Sequence, residues 1–211
     1  MRRILVGLAI LAMVPTVSTA QQRPVRFELV PFAGFMFGGG YDLDVGKIEA
    51  EDGLGYGGTI SFNMRDGHWL DFTYIRQDAD LDVTGPGFSG DEDLALSLNY
   101  ITIGGHREFA QYGAPLKPYI GGSAGMVIYD PEALGEDLEN TTRFTLGLNG
   151  GFKFLFGEEQ RFGIRTDLRV LWSWVPGDDY GYWCSYYGCF VTQETETVAQ
   201  GLASAGLILR F

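Results

Sequence analysis

The stretch Arg143-Phe144-Thr145-Leu146-Gly147-Leu148-Asn149-Gly150-Gly151-Phe152-Lys153-Phe154-Leu155-Phe156 decides the fold. Phe144, Leu146, Leu148, Gly150, Phe152, Phe154 and Phe156 fall on one parity; Arg143, Thr145, Gly147, Asn149, Gly151 and Lys153 fall on the other. A period of two is the period of a β-strand, so one face of this segment is apolar and the other is polar.

The same pattern recurs on either side. Phe162, Ile164, Thr166, Leu168, Val170 and Trp172 alternate with Gly163, Arg165, Asp167, Arg169 and Leu171, and Leu54, Tyr56, Ile60, Phe62 and Met64 alternate with Gly55, Thr59, Ser61, Asn63 and Arg65. Extended outward, the reading gives eight strand segments at 26–37, 54–65, 68–79, 94–107, 116–129, 142–156, 160–174 and 198–211. The first, fourth and fifth are less regular: Pro31 interrupts the first, and the fourth is apolar on both faces.

Soluble sandwiches also alternate, so the period does not say whether water or lipid lies outside. The connections discriminate. Three are short, at 65–68, 111–115 and 157–160; four are long and acidic, at 38–53, 80–93, 130–141 and 175–197. Strict alternation of short and long predicts an all-β fold, an eight-stranded antiparallel up-and-down transmembrane β-barrel with one plain and one elaborated end. Phe27, Phe37, Phe109, Phe156, Phe162, Trp172, Trp174 and Phe211 sit near segment ends, as interfacial aromatic girdles require.

Arg2-Arg3, the apolar run Ile4 to Val14 and the small residues Ser18-Thr19-Ala20 have the order of a secretory signal peptide, expected to span residues 1–20. The barrel domain is then 21–211. Without Arg2 and Arg3 the chain keeps 13 basic against 27 acidic residues, a net charge of −14. Such a chain repels nucleic acid.

Three stretches resemble the small outer-membrane β-barrel family of Gram-negative bacteria, the eight-stranded OmpA- and OmpW-like type. They are Phe27-Glu28-Leu29-Val30-Pro31-Phe32-Ala33-Gly34, Lys117-Pro118-Tyr119-Ile120-Gly121-Gly122 and the ending Gly206-Leu207-Ile208-Leu209-Arg210-Phe211. The resemblance implies location in the outer membrane, contact with its lipid and lipopolysaccharide, and delivery by the barrel-insertion machinery, for which Phe211 would act as the C-terminal insertion signal. It implies no shared reaction.

If the alternation holds, Arg143, Lys153, Arg165, Asp167 and Arg169 face the lumen, with Glu28, Asp71 and Arg210. An eight-stranded lumen is only wide enough for its own side chains or one small ligand. A hydrogen-bonded plug and a narrow path or ligand site are both open readings. Catalysis on an outer-leaflet lipid would need a nucleophile with a histidine base. His68 and His106 are expected at periplasmic turns, across the membrane from that lipid, and no His-x-Ser occurs. No catalytic set, cofactor or metal site is therefore assigned. The nineteen carboxylates of the long connections read as a solvated face, with divalent-cation binding as the alternative.

Tyr182-Trp183-Cys184-Ser185-Tyr186-Tyr187-Gly188-Cys189-Phe190 holds both cysteines of the chain. Export to an oxidising compartment favours a Cys184–Cys189 disulfide over a metal site, because the two histidines are distant in sequence. With Tyr180, the rings of Tyr182, Trp183, Tyr186, Tyr187 and Phe190 form either a preorganised recognition tip or a cap on the barrel mouth. The functional expectation is a non-catalytic envelope-structural or adhesion-like protein whose partner is an extracellular protein or surface ligand. The alternative is a narrow channel or carrier for small, hydrophobic molecules.

Overall fold

The computed structural model describes residues 26–43, 46–84, 94–110, 114–133, 136–137, 140–185 and 188–211. For 40–43, 46–50, 80–84, 94–95, 131–133, 136–137, 175–185 and 188–196 it describes the backbone alone. The signal segment 1–20 lies outside the described residues.

Eleven strand segments form the chain: β1 Phe27–Gly38, β2 Gly40–Leu43, β3 Gly46–Ala50, β4 Gly53–Arg65, β5 His68–Thr84, β6 Leu94–Glu108, β7 Leu116–Ala133, β8 Glu136–Asp137, β9 Thr141–Phe156, β10 Phe162–Ser185 and β11 Gly188–Arg210. Eight of them, β1, β4, β5, β6, β7, β9, β10 and β11, pair antiparallel in chain order, and β1 pairs with β11 to close the ring. Closure leaves no open sheet edge within the barrel, the condition for strands to cross hydrocarbon.

The register fixes the tilt. From His68, the pairs run through Arg107, Ile120, Gly150, Leu168, Ala203 and Phe35 to Leu54, which adjoins the Gly55–Gln77 pair. One circuit therefore climbs about ten residues along β5, the stagger of a barrel whose strands tilt by roughly 40°.

Large apolar side chains point outward. Leu54, Ile60, Phe72, Ile103, Ile120, Phe144, Leu148, Phe152, Leu168 and Leu207 are all exposed, while Lys153, Glu28 and Gln77 are fully buried. This inversion of the usual soluble pattern is what a hydrocarbon surround demands.

The short connections are tight. Asp66 and Gly67, at φ 50° and φ 76°, join β4 to β5; two successive positive φ values are those of the two-residue hairpin whose twist matches the strands. Gly157 and Gln160 bring β9 into β10, again at positive φ. The long connections differ from expectation. Part of each is strand: β2 and β3 form a hairpin laid on β5, β5 runs on to Thr84, β7 runs on to Ala133, and β10 and β11 continue as a paired ribbon to Ser185 and Gly188. Period-two patterning cannot mark these extensions, because beyond the apolar belt no face needs to be apolar.

The chain ends on the seam. Phe211 donates its amide to Phe27 O at 3.0 Å, its own carbonyl accepts from Arg26 N at 2.9 Å, and its ring stacks on Phe27 with centroids 4.8 Å apart. Deleting Phe211 is expected to lower the yield of heat-resistant barrel in outer-membrane fractions. A yield equal to wild type would show that this seam contact does not matter.

Candidate functional site

The inward parity of the eight strands builds two storeys in the lumen. The storey nearer the short turns is polar and centred on Lys153 of β9, whose side chain is fully buried. Its Nζ donates to Glu28 Oε2 of β1 and to Glu108 Oε1 of β6, both at 2.7 Å, and lies 4.5 Å over the ring of Trp69 on β5. Arg210 of β11 pairs with Glu28 and reaches Glu108 at 3.5 Å, while Lys117 of β7 lies 3.6 Å from Glu108. One ammonium thus joins strands on different sides of the barrel.

Above it, His106 Nδ1 and Asp71 Oδ2 are 2.6 Å apart, with the imidazole parallel to Trp69. Asp167 Oδ2 accepts from Tyr119 OH at 2.5 Å, from Arg165 Nη2 at 2.9 Å and from Asn149 Nδ2 at 3.3 Å; Arg169 Nε lies 3.5 Å from Asp167 Oδ1. Arg165 also donates from Nε to Tyr119 OH at 2.8 Å. Arg165 and Asp167 are two residues apart on one strand, yet they do pair.

The upper storey is apolar: Met36, Ile75, Leu96, Leu98, Tyr100, Val127, Leu171 and Leu202 pack together, with Phe32 and Tyr129 against them. Tyr100 donates to Gln200, which donates in turn to Gln77 Oε1 at 3.2 Å, crossing this storey from β6 to β11 to β5. Between the storeys lies a cavity bordered by Phe32, Thr59, Arg165, Asp167, Arg169 and Leu202, with room for about one water molecule.

Of the residues expected in the lumen, Lys153, Arg165, Asp167, Arg169, Glu28, Asp71 and Arg210 are buried there, and Arg143 is half-buried towards the long connections. Sequence reasoning missed Glu108, Lys117, Trp69 and Tyr119, and it misplaced His106. That histidine is not at a turn but inside β6, buried against Asp71. Reading catalysis from the histidines also passes over Gly121-Gly122-Ser123-Ala124-Gly125, which has the spacing of a serine-hydrolase elbow. The elbow works by turning sharply from strand into helix; here the run lies within the continuous strand β7.

Backbone pairing sets Cys184 across from Cys189, Trp183 across from Phe190, Tyr182 across from Val191 and Tyr180 across from Gln193. Tyr186 and Tyr187 lie outside the described residues. Among the described residues, no group of three His, Cys, Asp or Glu side chains is placed to hold a metal ion.

No family model and no curated protein matches the chain. Solved structures do. Neisserial surface protein A is 17% identical over 88% of this chain and 97% of its own, with a TM-score of 0.57. The outer membrane protein AlkL, solved in lipid bilayers, is 14% identical over 94% and 95%, with a TM-score of 0.60. The outer membrane protein OprG from Pseudomonas aeruginosa is 12% identical over 90% and 99%, with a TM-score of 0.54. The fold is that of the small eight-stranded outer-membrane barrels.

Replacing Lys153 with Met would leave Glu28 and Glu108 to Arg210 and Lys117 alone, at a cost below the roughly 3–5 kcal/mol of a fully unpaired buried charge. Adding Glu28→Gln to that variant is expected to recover part of the loss. Urea unfolding of the detergent-solubilised barrel measures both; equal midpoints for wild type and Lys153→Met would dismiss the lysine as a structural centre.

Proposed function

We propose that this outer-membrane barrel is a closed, non-catalytic anchor that displays its acidic, aromatic-bearing end at the cell surface, in an envelope-structural or adhesion-like role. The observation that carries this reading is the filled lumen: a cross-linked polar storey below, an apolar storey above, and between them space for about one water. His106 and Asp71 are shut inside that packing, where no lipid substrate reaches them. Above the barrel, β10 and β11 carry the ribbon that holds Tyr180, Tyr182, Trp183 and Phe190. Aromatic residues of this kind are frequent anchors at interfaces.

The cysteine positions support a disulfide in that ribbon. Directly opposed residues of an antiparallel pair have Cα atoms about 4.5–5.5 Å apart, inside the span a disulfide bridges. A covalent rung one pair below the hairpin turn would limit the arrangements of the tip before a partner arrives, which lowers the ordering cost of binding.

A second reading, a carrier for small hydrophobic molecules, draws on the apolar upper storey, which would suit such a guest if the Tyr100–Gln200–Gln77 chain opened.

In planar bilayers the purified protein is expected to show little steady ion conductance. Large, reproducible single-channel steps would overturn the closed-anchor reading. Replacing Cys184 and Cys189 together with Ser is expected to leave the heat-resistant barrel intact while weakening adhesion of expressing cells to host-matrix surfaces. Unchanged adhesion would remove the preorganised tip.

A further inference from the structure

The short-turn end of the barrel is not uniform around its circumference. Arg26 precedes β1, Arg65 ends β4, His68 opens β5 and Arg107 lies near the end of β6, and all four are exposed. These strands are neighbours, so the four residues share one arc of the rim. The backbone holds them there: Arg26 O accepts from Asn63 N at 2.9 Å, Arg65 and His68 are paired across the Asp66-Gly67 turn, and His68 is in register with Arg107.

None of Arg26, Arg65 and Arg107 forms an ion pair with a described residue; Asp66 is the one carboxylate in the turn between them. Exposed apolar residues flank them in the chain: Phe27 follows Arg26, Met64 precedes Arg65, and Phe109 lies two residues after Arg107. Phe27, Phe62, Met64 and Phe109 are exposed beside them, and the Arg107 guanidinium lies 5.5 Å from the centre of the Phe109 ring. The opposite arc is different. There the turn after β9 carries Glu158 and Glu159, and Arg161 is already paired with Glu159 at 2.7 Å.

We propose that Arg26, Arg65 and Arg107 form a docking patch for the phosphate head group of an anionic phospholipid in the periplasmic leaflet. An unpaired arginine at the border of an apolar belt meets acyl chain on one side and head group on the other. Its planar fork matches a phosphate with two hydrogen bonds. Phe27, Phe62 and Met64 supply the surface along which the acyl chains of the same lipid lie. The elaborated end cannot serve such a lipid, because its long connections carry nineteen carboxylates against Lys47. The patch thus also gives the barrel an electrostatic polarity across the membrane.

The inference rests on the membrane-spanning reading and is tested apart from it. The full barrel is reconstituted in phosphatidylcholine bilayers containing trace spin-labelled phosphatidylglycerol or phosphatidylcholine, and the motionally restricted fraction of each label is measured. Phosphatidylglycerol is expected to be enriched at the protein surface by several-fold, with a preference that falls as salt is added. Each arginine contributes up to roughly fivefold. The triple variant R26Q/R65Q/R107Q should bring the selectivity close to one, R107Q alone should lower it, and the triple lysine variant should keep only the part due to charge, between wild type and the glutamine variant. R161Q, on the opposite arc, should leave it unchanged. Equal restriction of the two labels by wild type, or an equal loss in R161Q and R107Q, would overturn the patch. Absence of any restricted lipid would instead overturn the membrane-spanning reading itself.

Discussion

The rest of the structure depends on one buried ammonium. Lys153 Nζ is removed from water and held between Glu28 and Glu108, which reach it from β1 and β6. Sequence neighbours alone cannot make this arrangement. It forms only when the first barrel strand, the middle of the chain and the ninth strand segment have come together, so it reports closure of the whole ring. The carboxylates that satisfy the lysine are themselves held by Arg210 and Lys117. A buried ion pair gives little net stability over an apolar filling, but a half-satisfied one is costly. The network therefore acts more as a condition on correct closure than as a source of excess stability.

The constraint on the outside is of the opposite kind. Hydrocarbon offers the outward face no hydrogen bonds, so every backbone group must be paired within the sheet and the side chains there must be apolar. With the outside given to Phe, Leu and Ile, the polar residues of alternate positions have only the lumen to occupy. An eight-stranded lumen is narrow enough that several of them meet one another, as Lys153 meets Glu28 and Glu108 and Arg165 meets Asp167. Filling of the lumen is thus a consequence of strand number and alternation together, and the closed-anchor reading follows from it without any special gating element.

The outward and inward faces of β4, β9 and β10 were legible in the sequence because one parity is almost purely apolar in each. That is why Lys153, Arg165, Asp167 and Arg169 could be placed by counting. Strands β6 and β7 resisted the same treatment. On β6, Leu96, Leu98 and Tyr100 face inward while Ile101 and Ile103 lie on both sides of Thr102, so the pattern reads as apolar on both faces. The upper apolar storey and the roles of His106, Glu108 and Tyr119 were hidden for this reason. They depend on which residues of distant strands arrive at the same height, a property of stagger around the barrel that no local period encodes. The extension of β10 and β11 past the belt escaped for a related reason, since beyond the hydrocarbon no face of a strand is required to be apolar.

The most direct measurement of this account is solid-state NMR of the barrel in lipid bilayers, with lysine ¹⁵N and glutamate ¹³C labels. The account predicts a single, slowly exchanging Lys153 Nζ resonance with through-space correlations to the carboxyl carbons of both Glu28 and Glu108. A Lys153 ammonium that exchanges rapidly with water and correlates with neither carboxylate would contradict it.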